Sequence, residues 1–208
     1  MVRKRKTDCP CSPSIIHLVF RPVIEVFTDP MMGLSYEHEP VLDRLRDMYG
    51  EELEIRYVMA GLVRDVSDFM NEEEKAMDDA EGIRTYCRRL ALIYKSEEQI
   101  GGLPINMEGF HLFDEERRSS YPLCIAYKAA QLADREKADR FLYALCSACI
   151  VETRQVTRED EILRIAENAG IDPERFTEVY RNGKAEKAFM QDLYYVHSLG
   201  IRTLPHIL

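Results

Sequence analysis

The chain has 208 residues, of which 46% are hydrophobic and 31% charged, a composition that excludes a wholly disordered chain and suits one domain, with or without an insertion. Its 37 acidic and 28 basic side chains give a formal charge of −9, which argues against nucleic acid as a partner because such a surface repels phosphate. No segment reaches the roughly 20 apolar residues needed to span a bilayer, and none has the pattern of a secretory signal.

The first three predicted elements form a strand–helix–strand unit. Residues 1–22 predict a flexible leader, because Pro10 and Pro13 interrupt any regular structure there. Residues 23–27, Val-Ile-Glu-Val-Phe, predict a buried strand. Residues 35–49 predict a helix that Gly50 ends, and the alternating residues 52–59 predict a second strand. In this order the two strands are expected to be parallel, with the helix as their crossover.

The rest of the chain is predicted to be almost entirely helical. Between residues 63 and 200 there is almost no strand signal, and punctuation by Pro, Gly and capping residues marks several helices. Their predicted ranges are 121–132, 136–153, a helix capped by Thr157 and closed by Gly170, 173–182 and 184–199. Residues 201–208 return to extended character.

Several segments of this pattern resemble the DsbA-like thioredoxin-fold family, in particular its FrnE-like branch. Their order and spacing carry the resemblance from residue 23 to residue 208. The segments are the strand and turn Phe27–Tyr36, Glu39-Pro40, Gly61-Leu62, Ser119–Pro122, Lys128–Ala130, Asp172–Phe176 and the closing Gly200–Pro205.

The resemblance implies an α/β protein with a thioredoxin-like core and a large helical insertion after its second strand. The corresponding division is 23–62 for the first part of the core, 63–199 for the insertion and 200–208 for the second part. The family's core continues for two strands and a helix after Pro205, whereas this sequence stops at Leu208. We therefore expect either a shortened chain or a sheet edge completed by a partner or a second copy, as in a homodimer.

The turn that opens the first helix departs from the family's chemistry. The family carries Cys-x-x-Cys there, or Cys-x-x-Ser in some members, and the matching residues here run from Met32 to Ser35. A cysteine at the first position ionises because the helix N-terminus stabilises its thiolate, and the second thiol resolves the mixed disulfide. A methionine thioether can neither ionise nor exchange. We therefore expect no dithiol exchange at this turn, and Ser35 is the one candidate catalytic residue.

The resemblance also implies a binding groove at the same turn. In the family the bond before the closing proline is cis, and the preceding backbone pairs with an extended substrate. An apolar groove here could bind a peptide, a protein client or a small thiol ligand. The candidate binding residues are Met31, Met32, Gly33, Leu34, Ser35, Leu204 and Pro205.

Three functional hypotheses remain open from the sequence. The first is a redox-inactive binding or adapter module, because some relatives deliver clients to proteases. The second is an enzyme, either a thiol-disulfide oxidoreductase or a glutathione-dependent isomerase or transferase that uses Ser35 and binds glutathione. The third is a structural or dimerising role. No cofactor is required by the first or the third hypothesis.

The remaining cysteines and histidines predict no further site. Without a membrane segment or secretory signal we expect a cytoplasmic location, in which the six cysteines are thiols. Cys146 and Cys149 have redox spacing but lie in an apolar helical stripe, so we expect both to pack in the core. Cys9 and Cys11 could oxidise or bind a soft metal, although a flexible tail is the favoured interpretation. The five histidines lack ligand spacing, so no metal site is predicted.

Overall fold

The computed structural model describes residues 21–208, which contain three β-strands and eight α-helices. Most of the predicted leader, including Cys9 and Cys11, lies outside the described residues. The elements are β1 Val23–Thr28, α1 Gly33–Tyr49, β2 Glu54–Met59, α2 Glu72–Ala76, α3 Asp79–Gly101, α4 Tyr121–Ala133, α5 Arg135–Ile150, α6 Glu159–Asn168, α7 Pro173–Arg181, α8 Lys184–Ser198 and β3 His206–Ile207.

The described sheet has the strand order β2-β1-β3. β1 and β2 are parallel, with Val26 opposite Tyr57, and α1 connects them. β3 runs antiparallel to β1, with Phe27 opposite His206. The predicted β-α-β unit with a returning strand is therefore confirmed.

Burial along the strands places the candidate turn inside the molecule. β1 begins at the exposed Val23 and ends with three buried residues, Val26 to Thr28, and the last three residues of β2 are also buried. Helices α4 and α8 cover the carboxyl ends of these strands, through Asp192 of α8 and the start of α4. The turns that follow β1 and β2 consequently lie between the sheet and the later helices, which we call the helical block.

The helical block is organised around α4 and α3. Most of α4 is buried, and it packs against α5, α7 and α8. α3 is the longest helix in the described chain and packs along α1. The sequence pattern predicted α4 to α8 but not α2 or α3. Their start signals are local: Asn71 and Glu74 form a capping box, and the Asp78 side chain caps α3.

Two helix ends differ from the prediction. Thr157 does not cap α6, which begins at Glu159; instead the buried Thr157 hydroxyl donates to the Leu112 carbonyl oxygen at 2.8 Å. A buried hydroxyl needs a partner, and the nearby loop carbonyl supplies one. Helix α5 ends at Ile150, before the predicted Thr153, which has a positive φ of 51°. The division into residues 23–62, 63–199 and 200–208 stays a prediction.

Within residues 21–208, no helix combines the length and the apolar character needed to cross a bilayer.

Candidate functional site

The turn between β1 and α1 is buried and held by backbone hydrogen bonds. The Met32 N–H donates to the Asp29 carbonyl oxygen, and the Tyr36 N–H donates to the Met32 carbonyl oxygen, both at 3.1 Å. α1 then begins at Gly33, and the side chain of its N-cap residue, Met32, makes no capping hydrogen bond. The side chains of Met31 and Met32 are 0% and 7% exposed, so neither sulfur lies on the surface.

The fully buried Asp29 fixes this turn against the helical block. Its Oδ1 accepts from the Met31 N–H at 3.1 Å. Its Oδ2 accepts from the Leu62 N–H at 2.7 Å and from the Ser120 hydroxyl at 2.6 Å, and the Cys124 sulfur lies 3.4 Å away. Burial raises the pKa of Asp29, while the hydrogen bonds from Ser120 and the two backbone amides act in the opposite direction. One carboxyl group therefore joins β1, the loop after β2 and the start of α4.

A second carboxylate makes a similar connection at the end of β2. Asp192 of α8 accepts from the Met59 N–H at 2.9 Å and pairs with Lys128 of α4 at 2.8 Å. Both side chains of this ion pair are largely buried. The Ser119–Pro122 and Lys128–Ala130 segments, which contributed to the family resemblance, thus have a structural role: they dock α4 on the core.

An apolar cavity of about 150 Å³ lies between the turn and α3. Five of the seven predicted binding residues line it together: Met31, Met32, Gly33, Leu34 and Leu204. The opposite wall comes from the loop after β2 and from α3. It consists of Leu62, Val63, Phe69, Tyr86, Leu90, Tyr94 and Glu97.

The other two predicted residues lie on a different side of α1. Ser35 and Pro205 line a much smaller neighbouring pocket, together with His38 and Cys146. The Leu204–Pro205 peptide bond is cis. Leu204 therefore lines the cavity, whereas the next residue, Pro205, lines the smaller pocket with Ser35.

Ser35 points into the protein interior. It is 8% exposed, its oxygen accepts from the Thr28 hydroxyl at 2.7 Å, and it lies 3.7 Å from the Met32 sulfur. His38, the nearest imidazole in the same pocket, bonds instead through Nδ1 to the Leu34 carbonyl oxygen at 2.8 Å. None of the hydrogen-bond partners of Ser35 within residues 21–208 is a general base, which a serine nucleophile requires.

The α3 wall of the cavity was not foreseen from the sequence. Its inward side chains recur at helical spacing, from Tyr86 through Leu90 and Tyr94 to Glu97. This helical spacing in the sequence was the signal from which the α3 wall could have been predicted. Glu97 stands beside Gly33, where even a Cβ would collide with its carboxylate. Burial and the neighbouring Glu37 raise the pKa of Glu97, and the Leu34 backbone N–H opposes them.

Three buried polar atoms in this region have no hydrogen-bond partner among the described residues. They are the Tyr94 hydroxyl, Oε2 of Glu97 and Oε1 of Glu37. The other oxygen of Glu37 accepts from the Gly101 N–H at 2.7 Å and so ties α1 to the end of α3. The polar end of an otherwise apolar cavity is therefore acidic.

The four described cysteines lie away from the solvent. Cys146 and Cys149 are 6% and 0% exposed, which confirms that this pair packs in the core, and Cys87 and Cys124 are equally buried. Burial raises the pKa of each of these thiols. Within residues 21–208, no three metal-binding side chains cluster closely enough to hold an ion.

A β-α-β core, a helical block inserted after β2 and a cis-proline next to the helix-opening turn define a DsbA-like thioredoxin-fold protein. Residues 26–208 match the family model described as thioredoxin, and the chain belongs to that family.

Curated relatives are similar over most of this chain but are longer. The ClpXP adapter protein SpxH of Halalkalibacterium halodurans is 26% identical over 187 residues, which cover 89% of this chain and 58% of that protein. The SpxH of Bacillus subtilis is 24% identical over 182 residues, which cover 88% of this chain and 56% of that protein. The chain thus spans little more than half the length of these relatives.

Solved structures with the same fold include disulfide enzymes. A candidate protein disulfide isomerase from Nitrosomonas europaea superimposes with a TM-score of 0.72 at 21% identity, covering 90% of this chain and 83% of that one. The cytosolic disulfide reductase DsbM of Pseudomonas aeruginosa gives a TM-score of 0.66 at 19% identity, covering 89% and 83%. At these identities the similarity establishes the fold.

Proposed function

We propose that this chain is a protein-binding module of the adapter kind, which holds an apolar stretch of a client polypeptide in the cavity between the β1–α1 turn and α3. It performs no dithiol exchange at this turn. The observation that carries the proposal is the turn itself, which presents Met32 and Ser35 where exchange needs two thiols, yet still forms one wall of an apolar cavity.

The redox part of the proposal rests on the accessibility of sulfur. Exchange begins when an exposed thiolate attacks a disulfide. The Met32 thioether cannot form a thiolate, and Cys146, the most exposed of the four described cysteines, is 6% exposed. Its raised pKa keeps the thiol protonated at neutral pH.

The binding part rests on the shape and composition of the cavity. Its walls are mostly Met, Leu, Val and aromatic side chains, the surface that apolar client side chains prefer. Leu34 and Leu204 are only partly buried, so they form an accessible rim. The relatives named as ClpXP adapters support a protein client, and we extend the proposal to a cytoplasmic role in presenting clients to a ClpXP protease.

A glutathione-dependent reaction at Ser35 is the less supported alternative. DsbM has also been solved with glutathione, at a TM-score of 0.64. In this chain, however, the Ser35 oxygen is buried and bonded to Thr28, and the Glu97 carboxylate stands at the helix N-terminus that would otherwise attract an anion.

The proposal is tested with a panel of labelled nonapeptides that share a Leu-Leu centre and differ in the residue that follows it. Fluorescence anisotropy should detect binding, and Leu34→Asn should weaken it about ten-fold because a polar amide replaces apolar surface. Leu132→Asn, an equal change at an exposed position of α4, should have no effect.

The same protein should not accelerate insulin reduction by dithiothreitol. Acceleration that Cys146→Ser abolishes would overturn the redox part, because it would place the redox centre in α5. Glutathione binding that Ser35→Ala weakens, without peptide binding, would favour the enzyme alternative.

A further inference from the structure

The polar end of the cavity is the feature that the proposed function leaves unexplained. Tyr94 and Glu97 line this end, and both the Tyr94 hydroxyl and Glu97 Oε2 lack a hydrogen-bond partner among residues 21–208. Tyr94 is 5% exposed. Buried polar groups of folded proteins almost always have partners, because desolvation without compensation is unfavourable. Two residues that line one cavity and each carry an unpartnered polar atom point to a ligand group at this end.

The charges at this end define the chemistry of that group. The charged residue that acts on Glu97 is Glu37, a second carboxylate, whose Oε1 also lacks a partner within the described chain. Of these groups, Glu97 and Tyr94 line the cavity and offer mainly acceptors, while Glu37 does not line it and adds a second acidic group near Glu97. The helix N-terminus of α1, which would favour an anion, already faces the Glu97 carboxylate beside Gly33.

We propose that the cavity selects clients that insert a basic side chain, lysine or arginine, with its cationic head at Glu97 and Tyr94. An ammonium group brings three N–H donors and a guanidinium five, enough for several acceptors at once. The apolar walls, including Val63, Phe69 and Leu90, fit the methylene stem of such a side chain. Glu97 is then the specificity-determining residue of the site. This inference rests on the proposed function, because it names which client segments the cavity accepts.

The test compares four members of the nonapeptide panel, with lysine, arginine, norleucine or glutamate after the Leu-Leu centre. Lysine and arginine peptides should bind at least about ten-fold more tightly than the norleucine peptide, and the glutamate peptide should bind weakest. The preference should persist at about 0.5 M salt, since a buried pair is screened less than the general attraction of an acidic surface.

Glu97→Gln should bring the lysine and norleucine peptides close to equal affinity. Glu98→Gln, the same loss of charge at the next residue, should retain the preference, because Glu98 pairs with Lys95 and does not line the cavity. Tyr94→Phe removes one oxygen only and should reduce the preference by a few-fold, which tests the site even if the Glu97 variant folds poorly.

Equal affinity of the lysine and norleucine peptides for the wild-type chain, or an unchanged preference in both the Glu97 and Tyr94 variants, would overturn this inference and leave the proposed function intact. Absence of binding by all four peptides would reject the proposed function together with it.

Discussion

Replacing Asp29 by alanine is expected to destabilise the protein strongly, because this one carboxyl group serves several buried donors. Without it, the N–H groups of Met31 and Leu62 lose their acceptors. The Ser120 hydroxyl loses less, since it already lies 3.4 Å from the Val63 carbonyl oxygen and can turn towards it. Each buried N–H left unpaired costs about 1–3 kcal/mol. Two of them predict a loss of about 2–6 kcal/mol in the free energy of unfolding.

Urea unfolding followed by far-UV circular dichroism measures this loss. Asp29→Asn should cost less, about 1–3 kcal/mol, because its amide oxygen can still serve one of the two backbone donors. Asp47→Ala, at an exposed position of α1, is the control and should change stability by no more than about 0.5 kcal/mol. If the free energy of unfolding of Asp29→Ala lay within about 0.5 kcal/mol of the wild-type value, the reasoning that a buried carboxyl group holds the turn would be refuted.

Two further predictions concern the junction of the core and the helical block. Gly61→Ala should cost about 2–4 kcal/mol, since Gly61 has a φ of +61° and its added Cβ would lie 2.9 Å from side-chain atoms of both Phe189 and Tyr121. Asp65 is bonded to Arg118, which lowers its pKa from 3.8 to about 2. Its contribution is complete above pH 3.8 and is lost as the pH falls through about 2, so the stability gap between wild type and Asp65→Asn should close over that range.

Matched controls separate the causes in these two experiments. Gly200 has a φ of +67° but open space around it, so Gly200→Ala should show the backbone strain alone, about 1–2 kcal/mol. An equal loss in both glycine variants would contradict the steric argument for Gly61. For Asp65, which is partly exposed, solvent screening reduces the expected gap to about 1 kcal/mol. A gap that stays constant from pH 5 to pH 2 would contradict the linkage with Arg118.

The sequence predicted the fold well where the signals are local. The alternation in β2, the buried run of β1 and the stop at Gly50 are contained in a few neighbouring residues, and these elements were placed within about two residues of their true ends. α3 was missed although its cap, Asp78, is a local signal, because that cap lies within an acidic stretch that lacks apolar periodicity. The local capping pattern gave a wrong prediction at Thr157, because its hydroxyl donates to Leu112, which is distant along the chain.

The candidate site was predictable only in part, for the same physical reason. The residues of the turn and Leu204 could be found because they follow the family pattern along the chain. That Ser35 faces inward depends on how the start of α1 packs on the end of β1, where the Thr28 hydroxyl donates to Ser35, and that Glu97 reaches Gly33 depends on how α3 packs on α1. Such relations arise from how α1 packs on β1 and on α3, which a single sequence does not display.

The two walls of the cavity are encoded in separate parts of the chain, one mainly by the turn after β1 and the other by the loop after β2 and by α3. A substitution on α3 can therefore alter what the cavity accepts while the core strands stay as they are. The proposed function leaves the wall formed by the turn without thiol exchange and uses both walls for binding. In such an arrangement the reactivity of the turn and the selectivity of the cavity can be changed by separate substitutions.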